Sequence, residues 1–484
     1  MDINRFPEYV EQLIDGIDRG DFSDPELIPD TYTYEHLYAL FFSAGMLDGG
    51  VELFCQMHRL SDACTIAHLQ KKSAGGEKIR AVFVTPFATT WQAESVYRSL
   101  EADARFEVYV MPVAMYGRTY EARRRQYEET LEFFQNGVYH VIDTYHAEQD
   151  ASIGWKGLGW EPDIVISLNA YVDAFPPTLD VFSLPLRCMQ IYLPYCIYTP
   201  ENKEHTYMDE AVFFRPLTNI VYRMYVASEW LAQECKSRMI LGGENVMFTG
   251  FPKMDYFYEK KDSFSEEAIR RMWKIPDGGD VNDIRRVIIA PHHSMMPEDS
   301  IKFSTFPQNA FFLLYLAEKY RDRISFIYKP HPVLRKSAVE SGFFNSFEEY
   351  DAYAEKWNRL PNARVVTEDS YLDIFATSDA MIMDCCSFLG EYLYADKPCL
   401  YLTGDEQRFN GLGEKLMSAY YTVEGTDYTA IETFLEDVVS DGKDTKADTR
   451  NRVFREELDY VAKRGMTAGE TIYRDIVSVL ESDA

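Results

Sequence analysis

Three short segments of the chain carry side chains that could bind a phosphate. The first is the pair His292-His293, the second runs from Lys329 to Lys336, and the third runs from Asp384 to Glu391. Imidazole, ammonium and guanidinium groups suit a diphosphate, and hydroxyl and backbone N–H groups can add further hydrogen bonds. Together the three segments predict a site for an anionic ligand.

The second segment concentrates cations around a histidine. His331 lies between two prolines that restrict the backbone, and Lys329 and Arg335 lie close by. An arginine can hold phosphate oxygens bidentately, so Arg335 is predicted to grip the diphosphate together with Lys329 and an imidazolium at His331. The chain as a whole has a formal charge of −29, which makes a local basic cluster informative. The alternative is that these cations only solvate the first turn after a strand.

The third segment is predicted to bind the nucleotide end of the same ligand. Ser387 is expected to be the N-cap of a short helix, beside free backbone N–H groups that suit a phosphate. Glu391 lies one turn later, where its carboxylate could accept hydrogen bonds from ribose hydroxyls or could simply offset the helix dipole. Asp384 and Cys386 are assigned to the same site, and the cysteines at 385 and 386 are expected to be small buried side chains rather than nucleophiles.

The predicted catalytic residues are histidines. His331 is the first candidate, and either His292 or His293 could donate to a phosphate or act as a general base, because imidazole titrates near neutral pH. The rings of a fully extended doublet would point in opposite directions, and surface solvation is the competing explanation. No metal site is assigned, since the cysteines and histidines between Cys55 and His68 match no zinc-binding spacing, and no cofactor is expected.

The elements that must position these segments are strands of a parallel sheet. Each segment follows a short apolar run, and these runs are Val287–Ala290, Ile324–Tyr328 and Ala380–Met383. Open α/β sheets bind ligands at the carboxyl ends of such strands. Alternating strand and helix patterns from Ile79 to Thr249 predict another doubly wound sheet, which lacks the G-x-G-x-x-G fingerprint of dinucleotide binding.

The predicted fold is therefore α/β of the GT-B type, in which two Rossmann-like doubly wound domains face each other across a cleft. The 484 residues are too many for a single core. The predicted divisions are an N-terminal helical region over residues 1–75 that includes a helix at Tyr9–Ile17, a Rossmann-like domain over 76–255, a second over 256–452, and a C-terminal helix over 453–484 that could brace both domains.

Composition limits the possible partners. A chain with 46% hydrophobic and 26% charged residues is an ordinary globular protein, and the charge of −29 argues against nucleic acid as a partner. The start of the chain lacks the pattern of a signal peptide, no apolar run reaches bilayer length, and the eight cysteines are expected to be reduced. A cytoplasmic location is predicted. Peripheral contact with the inner face of the membrane through the basic triplet Arg123-Arg-Arg125 is an alternative, although a solvated helix face is the more ordinary explanation of the triplet.

Residues Val246 to Leu402 resemble the CDP-glycerol glycerophosphotransferase family, the GT-B enzymes that build teichoic-acid-type polymers in bacteria. The motifs that carry the resemblance occur in the family's order, and they are Thr249-Gly-Phe-Pro-Lys-Met-Asp255, Ile288-Ile-Ala-Pro291, Lys329-Pro-His-Pro332, and Ser378-Asp379 through Asp384-Cys-Cys-Ser387, Glu391-Tyr392, Lys397-Pro398 and Tyr401.

The resemblance implies a function and roles for individual residues. It implies transfer of an alditol phosphate from a CDP-linked donor to a cell-surface polymer or glycan precursor, with release of CMP. His331 and Ser387 would contact the donor diphosphate, and Glu391 would lie near the nucleotide. Residues 76–255 would be the acceptor domain, and residues 256–452 would be the nucleotide-donor domain.

The chain departs from the family where the family carries its expected base. The family has a Trp-His-Gly motif, whereas the corresponding strand end here reads Pro194-Tyr-Cys196. His205, His292 and His293 are the nearest alternatives for that role. Two other functions therefore stay open, namely a GT-B glycosyltransferase that uses a nucleotide sugar, and a non-catalytic nucleotide-binding or scaffold protein.

Overall fold

A computed structural model describes residues 32–46, 48–260, 263–276, 279–367 and 371–481, together with positions 8, 11, 12, 15, 16 and 19. The helix predicted at Tyr9–Ile17 lies largely outside these residues. The chain divides into two compact units. The first comprises Met1–Cys196, Asp209–Asp255 and Tyr460–Ala484, and the second comprises Ile197–Met208 and Tyr256–Asp459.

The first unit is built on a six-stranded parallel sheet with the order β2-β1-β3-β4-β5-β6. Its strands are Ile79–Thr85 (β1), Phe106–Pro112 (β2), Ile164–Ser167 (β3), Met189–Tyr192 (β4), Arg223–Val226 (β5) and Val246–Phe248 (β6). These strands read as near-continuous apolar runs because helices cover both faces of a parallel sheet. The apolar alternation of the sequence also predicts a strand at Tyr139–Ile142, but only one parallel bridge forms there, between Val110 and Val141.

Helices complete the first unit, and they include helices from both ends of the chain. The helices are Tyr34–Ser43, Gly50–Ala74, Glu94–Ala102, Tyr120–Gln135, Gly154–Gly157, Pro216–Ile220, Glu229–Arg238, Tyr460–Arg464 and Ala468–Glu481. Leu69 and Ile472 share one hydrophobic core with Ile79 of β1. Packing thus joins the N-terminal helices and the last helix to the first sheet, while the four-segment division drawn from the sequence stays a prediction.

The second unit contains another six-stranded parallel sheet, with the order β9-β8-β7-β10-β11-β12. Its strands are Arg285–Ala290 (β7), Ile324–Tyr328 (β8), Ala363–Val365 (β9), Ala380–Met383 (β10), Cys399–Thr403 (β11) and Tyr421–Glu424 (β12). The chain starts in the middle at β7, moves outward through β8 and β9, and returns to β10 on the other side of β7. The loops after β8, β7 and β10 therefore emerge side by side, at the point where such sheets bind ligands.

Several helices of the second unit were not predicted from the sequence, and Leu334–Glu340 and Phe347–Arg359 are two of them. The others are Glu266–Met272, Phe306–Lys319, Leu372–Thr377, Phe388–Glu391, Gly411–Met417, Tyr428–Thr433 and Ala447–Val453, and Asp255–Glu259 begins at the boundary between the units. Two Rossmann-like units confirm the predicted fold class. In the part of the chain that the structure describes, no helix has both the length and the apolar character needed to cross a bilayer.

Each arginine of the basic triplet in the first unit forms an ion pair with an acidic side chain. Arg124 and Arg125 pair with glutamates one turn further along the same helix, each at 2.7 Å, and Arg123 pairs with Asp150. Pairs of this kind are typical of a solvated helix surface. The structure therefore gives no support to this triplet as a membrane contact.

Candidate functional site

The three predicted catalytic histidines lie together in the second unit. His292 and His293 follow β7, and His331 follows β8, the neighbouring strand in which Tyr328 pairs with Ile289. The ring centroids of His293 and His331 are 4.2 Å apart, those of His292 and His293 are 4.5 Å apart, and those of His292 and His331 are 5.3 Å apart. The doublet lies in a loop rather than in an extended strand, so its two rings can approach each other. We call these three residues the imidazole cluster.

Asp384 supports this cluster from β10. Its carboxylate accepts hydrogen bonds from the backbone N–H of His292 at 2.5 Å and from the hydroxyl of Thr305 at 2.8 Å. The side chain is buried, and burial raises its pKa to about 6. Asp384 was predicted to bind the ligand, but its oxygens are occupied by the protein itself. The structure assigns it the task of fixing the loop that carries His292.

The imidazole cluster is uncharged at neutral pH. Burial lowers the pKa of His331 to about 3, and His293 and Lys329 lower it further in the same direction. Burial also places the pKa of His292 well below its ordinary value and lowers the pKa of His293. The imidazolium predicted at His331 is therefore wrong, because charging one ring would cost both its desolvation and repulsion from the neighbouring groups.

Local contacts occupy one ring nitrogen in two of the three histidines. The Nδ1 atom of His331 accepts the backbone N–H of Val333 at 3.2 Å, which leaves Nε2 for other partners. The Nδ1 atom of His292 lies 2.7 Å from the hydroxyl oxygen of Ser294 and 3.2 Å from the backbone nitrogen of the same residue. In contrast, Nδ1 of His293 is buried without a hydrogen-bond partner among the described residues.

Lys329 supplies a cation beside the imidazole cluster. Its side chain is largely buried, and Nζ lies 5.3 Å from the ring centroid of Tyr371. The Tyr371 hydroxyl in turn donates a hydrogen bond to the buried carboxylate of Glu391. Lys329 and Glu391, both predicted site residues, are thus connected through Tyr371, which no motif of the sequence singles out.

Arg335 is directed away from this arrangement. It forms a bidentate pair with Asp351, with both nitrogen–oxygen distances at 2.7 Å, and its guanidinium lies 4.4 Å from the ring centroid of Phe347. Both partners belong to a helix that the sequence did not predict. A phosphate grip by Arg335 would require this pair to break, so the structure does not bring Arg335 together with the histidines.

Ser387 and Cys386 line the loop after β10. Ser387 occupies the predicted N-cap position of the helix Phe388–Glu391, but it has helical dihedral angles, φ −69° and ψ −38°, and its side chain makes no capping hydrogen bond. Its hydroxyl instead lies 2.9 Å from the sulfur of Cys385. The predicted burial of the cysteines is confirmed, and the sulfur of Cys386 lies 3.7 Å from Nε2 of His292. The carbonyl of Cys386 accepts the hydroxyl of Thr199 at 2.8 Å.

Comparison of the sequence with family models gives one match, over residues 203–474. The matching model is described as CDP-Glycerol:Poly(glycerophosphate) glycerophosphotransferase. The match covers more than half of the chain and includes the imidazole cluster, Lys329, and the loop after β10. No curated protein sequence matches the chain.

Several solved structures share the fold at low sequence identity. A histidine-to-asparagine variant of the wall teichoic acid polymerase TagF has a TM-score of 0.54 at 13% identity, with 100% of each chain covered. The S. aureus MnaA-UDP co-structure has a TM-score of 0.51 at 13% identity, covering 84% of this chain and 99% of that one. A putative UDP-N-acetylglucosamine 2-epimerase from Listeria monocytogenes has a TM-score of 0.50 at 15% identity, covering 84% and 98%. These similarities establish the fold alone.

Proposed function

Because the chain belongs to the CDP-glycerol:poly(glycerophosphate) glycerophosphotransferase family, we propose that it transfers an alditol phosphate from a CDP-linked donor to a cell-surface polymer or glycan precursor. In this reaction a hydroxyl oxygen of the acceptor forms a bond to the β-phosphorus of the donor. The bond from that phosphorus to the bridging oxygen breaks, CMP leaves with the bridging oxygen, and the hydroxyl proton is released. The protein must therefore hold a diphosphate while negative charge shifts along it.

The observation that carries this proposal is the convergence of three imidazoles and one buried lysine at the carboxyl ends of β7 and β8. Lys329 offers a cation, the local contact of Nδ1 in His331 leaves Nε2 of that ring for a ligand, and Nε2 of His292 lies 3.7 Å from the sulfur of Cys386. Polar groups that are held in place before the ligand arrives stabilise developing charge without reorganisation. We propose that the donor diphosphate lies against His331 and Lys329.

The other predicted site residues have different roles in this proposal, and only some of them contact the donor. We propose that the nucleotide extends along the loop after β10, beside Ser387 and Glu391. Asp384 and Cys386 contribute by holding the loops that carry the contacting groups. Arg335 contributes only if its pair with Asp351 opens when the donor binds.

Nucleotide release distinguishes this function from nucleotide-sugar transfer. The full chain is incubated with radiolabelled CDP-glycerol, CDP-ribitol and several UDP-sugars, with a bacterial membrane fraction as the source of acceptor. We expect CMP to appear from at least one CDP-alditol, and no UDP. Release of UDP without any CMP would contradict the proposal and favour the glycosyltransferase.

One sequence feature favours a second candidate, a donor-binding protein without turnover. The strand end at Pro194-Tyr-Cys196 lacks the imidazole that the family carries there. Such a protein would be stabilised against thermal unfolding by CMP and CDP, because a ligand that binds only the folded state raises its stability. Stabilisation with no release of CMP from any donor, in the presence of acceptor, would favour this candidate.

We further propose a cytoplasmic location, which matches the reduced state expected for the cysteines. The structure describes all eight cysteines as free thiols. Fractionation of cells that express the tagged chain would test the location. Recovery in the soluble fraction, or in a membrane fraction from which salt releases the chain, is expected.

A further inference from the structure

We propose that His292, His293 and His331 form a binding site for one divalent transition-metal ion, best suited to Zn²⁺ or Co²⁺, and that a diphosphate oxygen of the donor completes the coordination of the ion. The metal site itself is inferred from the geometry of the imidazole cluster. The contact with the diphosphate rests on the proposed transferase function.

The three side chains can reach a common ion. One ring nitrogen from each residue lies within 4.8 Å of the corresponding atoms of the other two. Zinc binds imidazole nitrogen at about 2.0–2.1 Å, so two nitrogens of a tetrahedral site lie about 3.4 Å apart. The nitrogens reach the shorter separation if each ring moves by roughly 1 Å, and small rotations about side-chain bonds can supply this movement. Three histidines leave a fourth position open, as catalytic zinc sites do.

The chemistry of the nitrogens also fits an ion. A metal ion binds imidazole through the ring nitrogen that carries no hydrogen. The buried Nδ1 atom of His293 has no partner within the described part of the chain. A buried polar atom that stays unpaired costs free energy, and coordination to an ion would remove that cost.

Neighbouring groups determine how His292 and His331 would bind. In His292, the ring hydrogen can move to Nδ1 and donate to the hydroxyl oxygen of Ser294 at 2.7 Å, which leaves the lone pair of Nε2 for the ion and gives up the 3.2 Å contact from the backbone N–H of Ser294. In His331, moving the ring hydrogen to Nδ1 breaks the 3.2 Å hydrogen bond from the backbone N–H of Val333. Because this hydrogen bond lies at an exposed position, water can replace it.

Charge around the cluster favours joint binding of ion and donor. Lys329 lies two residues before His331 at the end of β8, and its ammonium group repels a second cation. The negative charge of a diphosphate offsets that repulsion. We therefore expect the ion to bind more tightly when CDP-glycerol is present.

Cobalt binding tests the site directly. The full chain, purified without a histidine tag and dialysed against a chelator, is titrated with CoCl₂ while visible absorption and bound cobalt are measured. We expect one ion per chain, displaced by ZnSO₄. His293→Ala, at the half-buried position of the cluster, should weaken cobalt binding by at least about tenfold. His292→Ala and His331→Ala should do the same, whereas His140→Ala, at an exposed position in the first unit, should bind cobalt as the wild type does.

The outcomes separate the metal site from the transferase. Absence of cobalt binding, or binding that His293→Ala and His331→Ala leave unchanged in folded protein, overturns the metal site. If such a chain still releases CMP from CDP-glycerol, the transferase function stands without the metal. Cobalt binding that depends on the three histidines supports the metal site. If the same chain releases CMP from no donor, the transferase function fails while the metal site remains.

Discussion

Two motifs of the chain follow a strand of a parallel sheet, yet their polar groups differ in the partners they find. One is Thr249–Asp255 in the first unit, and the other is Lys329–Pro332 in the second. In the first motif, the acidic side chain is hydrogen-bonded within the chain. The carboxylate of Asp255 accepts hydrogen bonds from four donors, which are the hydroxyls of Ser95 and Tyr460, both at 2.6 Å, and the backbone N–H groups of Ala468 and Gly469 at 2.9 and 2.8 Å. The second carries His331, whose ring lies beside that of His293 in the loop after β7, and Nδ1 of His293 is buried without a hydrogen-bond partner among the described residues.

The difference teaches that resemblance to a family motif does not by itself identify a binding site. Gly250 has φ +93°, and the ring of Tyr460 lies 2.1 Å from the place where a Cβ atom would be. The glycine therefore serves the packing of Tyr460. In the second unit, Nδ1 of His293 lacks a protein partner in the described ranges. A motif whose polar groups are all paired supports the fold, and one with unpaired groups can bind a ligand.

The largest effect on stability is expected from Asp255→Ala. This change leaves the hydroxyl of Tyr460 and two backbone N–H groups buried without an acceptor, so the free energy of unfolding should fall by about 3–5 kcal/mol. Urea unfolding measures the loss. CMP release per folded molecule should stay near the wild-type value, and a specific loss of turnover in folded protein would give this motif a role in the reaction.

The largest effect on turnover is expected from His331→Ala. Removal of one fixed polar group from a site of developing charge typically lowers the rate by about 10²–10³-fold. CMP release from CDP-glycerol measures the change, and the midpoint of thermal unfolding should stay close to that of the wild type. The matched control is His140→Ala. Full activity of the His331 variant would remove this residue from the site.

A smaller loss is expected from Lys329→Met, which keeps most of the buried aliphatic chain and removes its charge. The loss of one charge-assisted contact with a phosphate should weaken donor binding by about tenfold. Titration with CDP-glycerol measures the affinity. Unchanged affinity would show that the lysine serves only its packing against Tyr371.

The smallest effect is expected from Arg335→Ala. The side chain is about half exposed, and exposed ion pairs contribute about 0–1 kcal/mol, so both stability and CMP release should change little. Asp351→Ala is the matched partner variant. A loss of turnover in Arg335→Ala that Asp351→Ala does not share would show that the pair opens and that Arg335 holds the donor, as the sequence alone predicts.

Sequence patterns predicted most of the sheet strands because buried parallel strands are continuous apolar runs. The strand Tyr421–Glu424 was missed because its residues are only partly buried and it lies at the edge of its sheet. The helices Leu334–Glu340 and Phe347–Arg359 were also missed. The strand predicted at Tyr139–Ile142 was too long because only one bridge forms there. Pairing at sheet edges depends on distant residues, which a local pattern does not contain.

The candidate site was predictable in its members and not in its interactions. His331, His292 and Lys329 could be selected because each follows an apolar strand. Their neutral rings, the supporting role of Asp384 and the link through Tyr371 depend on which loops meet, and thus on the order of strands in the sheet. Ser294 is the exception, because it lies only two residues after His292 and the local sequence could have identified it as a partner of that ring.

Calorimetric titration with CDP-glycerol tests most directly whether the open cluster in the second unit is the donor site. The wild-type chain, His331→Ala and Asp255→Asn are compared under the same conditions, with folding verified for each. Binding by the wild type and by the Asp255 variant, together with loss of binding by the His331 variant, is the expected result. Wild-type affinity in folded His331→Ala would contradict the assignment of the donor to the imidazole cluster.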